Sequence, residues 1–170
     1  EWLMRLSDDY ERDRVKTQFR KEATRLMRCS ETPHIVKMDD PFEEDGLACL
    51  PVEYFAVGSV AKNLADHSPN PLKEETALEY IRQVGKALSV VHGRGLVHRD
   101  IRPSNIFLRI EGTRVNAVLT GFGLAMDCDT ALTRTRASEL KDGFSPIELY
   151  GRDRDVDAYT DVYSLAATLY

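Results

Sequence analysis

The sequence predicts an α+β fold, because stretches with helical and with strand periodicity follow one another along its 170 residues. Apolar residues recur at three and four positions near the start of the chain and, most clearly, in its middle. Between and after these stretches lie short apolar runs bounded by polar turn residues, the pattern of antiparallel strand pairs. The predicted order is helix, strand pair, helices, small hairpin and a long irregular segment, without an internal repeat.

The first predicted element is an amphipathic helix over residues 11–29. It is expected to end before Pro33, because the residue that precedes a proline resists the helical region. Two antiparallel strands are predicted next, over residues 34–38 and 46–54, joined through a polar turn at residues 43–46. The apolar stripe of the helix consists of Val15, Phe19, Ala23, Leu26 and Met27.

Two helices are predicted in the middle of the chain. Ser59 is placed to cap a short helix that ends near Leu64. The clearest helix in the sequence covers residues 73–91. Its apolar residues at helical spacing are Leu78, Ile81, Val84, Leu88 and Val91.

A small hairpin and an irregular segment are predicted after the long helix. Residues 106–110 and 115–120 have the character of short strands around a turn at residues 111–113. Residues 124–143 lack periodicity and exceed the length that is normally tolerated without secondary structure, which indicates a functional or mobile loop.

The composition is that of a globular protein with one core, with 42% hydrophobic and 30% charged residues. No apolar stretch approaches the roughly 20 residues that cross a bilayer, so no membrane span is expected in this piece. With 23 Lys and Arg against 28 Asp and Glu and no basic run, a nucleic-acid partner is not expected. Cys29, Cys49 and Cys128 lack the spacing of a zinc or redox site and fit free thiols in the cytoplasm.

A carboxylate and an amide lie five residues apart in one predicted loop, as Asp100 and Asn105. Phosphoryl transfer uses both kinds of group. The carboxylate can orient an attacking hydroxyl and accept its proton, and the amide oxygen suits Mg²⁺ bound to nucleotide phosphates. The surrounding segment, His98-Arg99-Asp100-Ile101-Arg102-Pro103-Ser104-Asn105, resembles the catalytic loop H-R-D-x-x-x-x-N of the eukaryotic-type Ser/Thr protein kinases.

This resemblance implies a bilobal protein-kinase-like fold of which the chain covers only part. Residues 1–54 would be a partial N-lobe and residues 55–170 a partial C-lobe. Because residue 1 is Glu and the last helix-like stretch has no terminating signal, the chain is expected to be cut at both ends. The glycine-rich loop and the ATP-binding Lys of the family would lie upstream of residue 1.

The resemblance also implies the roles of the residues around ATP. Asp100 would be the catalytic base, Asn105 a Mg²⁺ ligand, and Arg102 the cation near the γ-phosphate. Arg102 stands where the family has Lys, and a planar fork does not replace a point charge neutrally, although a cation here still favours Ser/Thr over Tyr specificity. The expected ATP-binding residues are Glu22, which resembles the carboxylate partner of the missing Lys, the gatekeeper Val52, the hinge residues Glu53 and Phe55, and Phe107.

Regulatory and structural roles follow from the same resemblance. Arg99 would hold a phosphorylated activation loop, since its guanidinium forks onto phosphate oxygens. Asp161 would support the catalytic loop, or it would cap its own helix. The candidate phosphate acceptors are Thr130, Thr133, Thr135 and Ser138. The remaining structural residues are Leu26, Met38, His98 packed against Phe122, and Glu148 in Ser145-Pro146-Ile147-Glu148, which resembles Ala-Pro-Glu.

One motif departs from the family. Where Asp-Phe-Gly should bind Mg²⁺, the chain has Gly121-Phe122-Gly123 after Thr120. Loss of that carboxylate should reduce the rate on the order of a thousandfold or more, because metal charge stabilisation contributes several kcal/mol to the transition state.

Two readings therefore remain open from the sequence. The first is a Ser/Thr protein kinase that uses ATP and Mg²⁺ on a protein substrate, impaired by Gly121. The second is a pseudokinase, a nucleotide-binding or protein-interaction module. A small-molecule phosphotransferase is disfavoured by Arg99 and by the segment that contains Glu148.

Overall fold

A short antiparallel hairpin follows the first helical residues in the computed structural model, which describes residues 32–122, 126–127, 143–150 and 156–170 together with Lys16, Thr17, Phe19, Ala23, Thr24, Met27, Cys29 and Ser30. Strand β1 (Phe42–Glu44) pairs with β2 (Leu47–Cys49) around a turn in which Asp45 and Gly46 have positive φ. The antiparallel pairing continues at a single bridge between Met38 and Val52. Strand β2 confirms part of the predicted strand over residues 46–54, whereas the predicted strand over residues 34–38 is wrong, because that stretch forms only isolated bridges at Ile35 and Met38. The tight turn at Asp45 and Gly46 instead pairs β2 with the residues directly before it, partly where the turn was predicted.

The two predicted middle helices are confirmed as α1 (Val60–Asp66) and α2 (Glu74–Gly93). The Ser59 hydroxyl accepts a hydrogen bond from the Lys62 N–H at 3.2 Å, so it caps α1 as predicted. Of the apolar residues at helical spacing, Leu78 lies outside the buried face of α2, since 47% of its surface is exposed. The buried residues of α2 are Gln83, Val84, Ala87, Leu88 and Val91.

The hairpin after the catalytic loop consists of β4 (Ile106–Glu111) and β5 (Arg114–Leu119), which pair antiparallel from Ile106 with Leu119 to Glu111 with Arg114. It packs on α2, where the Gln83 amide oxygen accepts a hydrogen bond from the Ala117 N–H at 2.6 Å. This bond explains why a polar side chain lies in the buried face of α2, because a buried amide must be hydrogen-bonded.

Two short strands complete the described sheets. Strand β3 (Leu96–Val97) pairs antiparallel with β6 (Met126–Asp127). The stretch over residues 124–143, for which no secondary structure was expected, therefore contains a strand. A two-residue strand of this kind has no periodicity, so it leaves no sequence signal.

The last helix, α3 (Ala158–Leu169), packs on α2, and a turn of 3₁₀ helix covers Ile147–Tyr150. The main apolar core is built from α2, β4, β5 and the segment at Ile35 and Val36. That segment runs beside β5, with the Val36 N–H donating to the Leu119 carbonyl at 3.0 Å. The α+β prediction is confirmed, whereas the division into lobes at residue 54 stays a prediction.

The described residues of the predicted first helix that lie between Lys16 and Met27 are helical, and Val15 and Leu26 lie outside the described residues. No described helix combines the length and the apolar character that a membrane span requires.

Candidate active site

The loop that carries Asp100 is fastened to α3 through Asp161, whose side chain is fully buried. One Asp161 oxygen accepts from the Arg99 N–H at 2.7 Å, and the other accepts from the His98 N–H at 2.8 Å. Arg99 has φ +69°, a left-handed conformation that costs an L-residue roughly 1–2 kcal/mol. The bonds from Asp161 offset that cost and fix the backbone of the loop.

The cap of α3 is a different carboxylate. The Asp157 side chain accepts a hydrogen bond from the Tyr159 N–H at 2.8 Å, so the alternative role of Asp161 as helix cap is wrong. His92, at the end of α2, also contacts Asp161, with Nε2 at 2.8 Å from Oδ2. Sequence reasoning gave His92 no role, because its partner lies 69 residues further along the chain and no local spacing links them.

His98 connects the two sides of the site. Its Nδ1 accepts a hydrogen bond from the Asp100 N–H at 3.2 Å, and its Nε2 lies 2.9 Å from the Thr120 carbonyl. Because a carbonyl oxygen only accepts, the proton resides on Nε2 and the ring is neutral. Burial lowers the pKa of His98 below its ordinary value of 6.5, while Asp161 acts in the opposite direction. Phe122 packs edge-to-face on His98, with ring centroids 4.6 Å apart.

The three side chains expected to act on phosphate lie together. The Asn105 amide nitrogen donates to the Asp100 carbonyl at 2.8 Å and to its carboxylate at 2.7 Å. The Arg102 Nε lies 3.0 Å from the other carboxylate oxygen, an ion pair without the alignment of a hydrogen bond. The Asp100 carboxylate is therefore held on both sides, and 12% of its side chain is exposed.

Gly121 fits this arrangement closely. Its φ is +81°, which glycine adopts without strain, and a Cβ built at this position would lie 2.6–2.8 Å from the three outer atoms of Asn105. Real Cβ atoms essentially never approach other atoms this closely. The Asn105 amide thus occupies space that a side chain at position 121 would need.

These residues do not fit the Mg²⁺ site that the family implies. Asn105 offers an amide oxygen, but Gly121 offers no ligand and the Asp100 carboxylate is engaged by Asn105 and Arg102. Within the described ranges, no three His, Cys, Asp or Glu side chains converge as metal ligands.

A cavity of about 430 Å³ with mainly apolar walls lies between the hairpin region, β4 and the residues after β5. In the described part of the chain, the Glu53 carbonyl and the Phe55 N–H make no hydrogen bond. The sequence did not predict the contribution of Phe19 and Ala23 to the wall, although their helical spacing was visible. The residues of the lining that had been singled out are Met38, Val52, Glu53, Phe55, Phe107, Gly121 and Phe122.

The remaining sequence-predicted residues fall into two groups. Glu148 accepts a hydrogen bond from the Thr160 hydroxyl at 3.0 Å, and Arg99 is a buried residue. These two observations do not test the roles that were expected of Glu148 and Arg99. The other candidates lie outside the described residues: Glu22, Leu26, Thr130, Thr133, Thr135 and Ser138.

The chain is similar to known protein kinases. The family model of the protein kinase domain matches residues 4–170. A probable serine/threonine-protein kinase of Clostridium perfringens is 30% identical over 97% of this chain and 23% of its own length. The serine/threonine-protein kinase PknF of Mycobacterium tuberculosis is 31% identical over 81% of this chain and 29% of its own length. The MAP kinase-activated protein kinase 2 of the rabbit, Oryctolagus cuniculus, is 26% identical over 89% of this chain and 42% of its own length.

The chain thus spans less than half of the length of each of these relatives.

Proposed function

Because the chain belongs to the protein kinase domain family, we propose that it is a Ser/Thr kinase domain that binds ATP in the apolar cavity and transfers the γ-phosphate to protein hydroxyls slowly. The observation that carries this proposal is the assembled loop, in which Asp100 contacts both Asn105 and Arg102. A carboxylate, an amide and a cation within hydrogen-bond reach of one another are the groups that phosphoryl transfer uses.

Two of these side chains, Asp100 and Arg102, act directly in the proposed transfer. Asp100 orients the attacking hydroxyl and accepts its proton, and Arg102 stabilises negative charge on the transferred group. Arg102 is paired with Asp100 at 3.0 Å, so this ion pair has to open before Arg102 can bind a phosphate. The free Glu53 carbonyl and Phe55 N–H can bind the adenine edge, while Phe107 contributes an apolar wall.

The proposed rate is low because the expected metal carboxylate is replaced by Gly121. Mg²⁺ would supply charge neutralisation at the phosphates, and without that contribution we expect a loss on the order of a thousandfold or more. No step of the proposal depends on a metal held by the described residues.

A second candidate, a pseudokinase that binds nucleotide or a protein partner without transfer, is favoured by the fit at Gly121. The Asn105 amide fills the space of a missing side chain, so the site is packed around glycine rather than merely lacking a carboxylate. For either candidate we propose a cytoplasmic location, which the free thiol of Cys49 supports.

A γ-phosphate transfer assay with Mg²⁺ and with Mn²⁺ separates the two candidates. Transfer that Asp100→Asn abolishes supports the kinase. Thermal stabilisation by ATP without transfer supports the pseudokinase, since a ligand stabilises the state that it binds. Absence of both would refute nucleotide use altogether.

Gly121→Asp is the informative variant in that assay. Active wild-type protein that Gly121→Asp does not improve would remove the pseudokinase reading. A rise in transfer would identify the missing carboxylate as the limiting feature. Because the new side chain meets Asn105, the variant's unfolding temperature should be measured alongside its activity.

A further inference from the structure

Arg109, on β4, makes contacts that neither the kinase motifs nor the phosphoryl-transfer proposal uses. Its Nε donates to Glu53 Oε2 at 3.1 Å and its Nη2 donates to Glu53 Oε1, so the guanidinium grips the carboxylate with two parallel bonds. Its Nη1 donates to the Pro33 carbonyl at 2.6 Å. Only 13% of the Arg109 side chain and 20% of the Glu53 side chain are exposed.

Glu53 is itself fixed to the neighbouring strand segment. Its carboxylate accepts from the Lys37 N–H at 3.1 Å, and its own N–H donates to the Lys37 carbonyl at 3.0 Å. The Arg109 guanidinium carbon also lies 5.9 Å from the centre of the Phe55 ring, within cation–π range. One guanidinium therefore contacts both residues whose backbone groups are left open at the cavity, Glu53 and Phe55.

We propose that Arg109 is the positioning residue of the adenine-binding segment at residues 53–55, and that it sets both nucleotide affinity and selectivity for adenine. It holds the Glu53 carbonyl and the Phe55 N–H at the spacing of a donor and acceptor pair on a purine edge, without touching the nucleotide. This inference rests on the proposed nucleotide site and goes beyond it.

Such an ion pair fixes the directions of its partners more than it stabilises the fold. A largely buried ion pair stabilises a fold little compared with apolar residues of the same volume, because both charges lose water. A planar fork with its donors engaged does, however, fix the direction of each partner. It also joins residues of the predicted N-lobe, Pro33 and Glu53, to a strand of the predicted C-lobe.

Selectivity between ATP and ITP tests this role. The 6-amino group of adenine can donate to the Glu53 carbonyl, whereas the 6-oxo group of hypoxanthine cannot, so wild-type protein should bind ATP about tenfold more tightly than ITP. In Arg109→Met we expect ATP affinity to fall about tenfold and the ratio between ATP and ITP to approach one. General loosening of the protein would weaken both nucleotides and leave their ratio unchanged.

Matched variants complete the experiment. Arg82→Met on α2 removes a guanidinium that grips Glu79 in the same two-bond manner, with Nε at 2.8 Å, but on an exposed surface, and should leave both affinities unchanged. Arg109→Lys keeps the charge without the fork and should restore only part of the selectivity. If Arg109→Met does not fold, the affinities of Arg109→Lys for ATP and ITP test the proposal instead.

Each outcome is decisive. Wild-type protein that binds ATP, with Arg109 variants of equal affinity and equal selectivity, would refute the positioning role and leave the proposed function intact. Wild-type protein that binds neither nucleotide would refute both.

Discussion

The catalytic loop and the segment that follows β5 lie against each other, yet they differ in the side chains that they contribute to the site. In the loop, Asp161 holds the backbone of His98 and Arg99, and the Asp100 carboxylate is engaged on both sides. In the adjoining segment, the position expected to carry a metal carboxylate is Gly121. The described residues thus include the side chains that fix the backbone of the loop, whereas position 121 offers no carboxylate to a metal.

The largest expected effect comes from breaking the anchor of the loop. Asp161→Ala removes the acceptor of two buried N–H groups, and each buried donor left unsatisfied costs about 1–3 kcal/mol. The free energy of unfolding should therefore fall by about 3 kcal/mol or more, as measured by urea denaturation.

Asp157→Ala in the same helix is the control for this experiment. It removes a solvent-exposed cap and should cost only about 1 kcal/mol. Equal losses in the two variants would mean that Asp161 stabilises its own helix rather than the catalytic loop.

Substitution of two glycines with positive φ tests how tightly the site is packed around position 121. Gly121→Ala places a Cβ at 2.6–2.8 Å from Asn105, whereas Gly112→Ala, with φ +62°, meets nothing within 4 Å. Both substitutions carry the left-handed penalty of roughly 1–2 kcal/mol, so only the first adds the collision.

We expect Gly121→Ala to lose about 1–3 kcal/mol more stability than Gly112→Ala, because overpacking of a fitted site costs that much. Thermal unfolding of the two variants gives the difference. If they are equally stable, Asn105 moves freely and the site is not built around glycine.

The sequence predicted the features whose signals are local. The two ends of the catalytic motif, His98 and Asn105, lie within one short segment, and the long helix over residues 73–91 was found as Glu74–Gly93. The exposure of Leu78 could not be predicted, because periodicity shows which residues share a helix face, but not how far along the helix that face is covered.

The contacts of His92 and Arg109 with distant segments could not be predicted from the sequence. His92 and Asp161 are 69 residues apart, and Arg109 and Glu53 are 56 apart. His92 and Arg109 alone have the appearance of ordinary surface residues. The packing of α2 on α3 brings His92 to Asp161, and Arg109 joins β4 to the segments at Pro33 and Glu53.

A change of pH tests the bridge that joins the two compared regions, since His98 links the Asp100 N–H to the Thr120 carbonyl. Burial lowers the pKa of His98 in the folded protein, with Asp161, Asp100 and His92 as the surrounding titratable groups. Below a pH of about 6.5 His98 binds a proton in the unfolded chain but stays neutral in the folded protein. The contribution of the neutral ring to the free energy of unfolding is therefore fully present above that pH and is lost as the pH falls below it.

The expected slope is at most about 1.4 kcal/mol per pH unit below pH 6.5, from urea denaturation at several pH values. His98→Phe removes the titrating ring, so its stability should depend less steeply on pH over the same range. A slope that is unchanged in this variant would place the pH dependence on other groups.

The smallest expected effect comes from the cap of α1, which lies outside the catalytic loop and the segment after β5 and serves as a reference for both. Ser59→Ala removes the cap of α1 and should cost about 1 kcal/mol, and Ser59→Asn should restore most of it, because asparagine caps equally well. The neighbouring Gly58 carbonyl still accepts from the Leu108 N–H at 3.0 Å, so the backbone contact beside Phe107 survives the substitution. Nucleotide affinity should then stay unchanged while stability falls. A drop in nucleotide affinity that Ser59→Asn reverses would show that the cavity depends on the cap of α1 as well as on the catalytic loop.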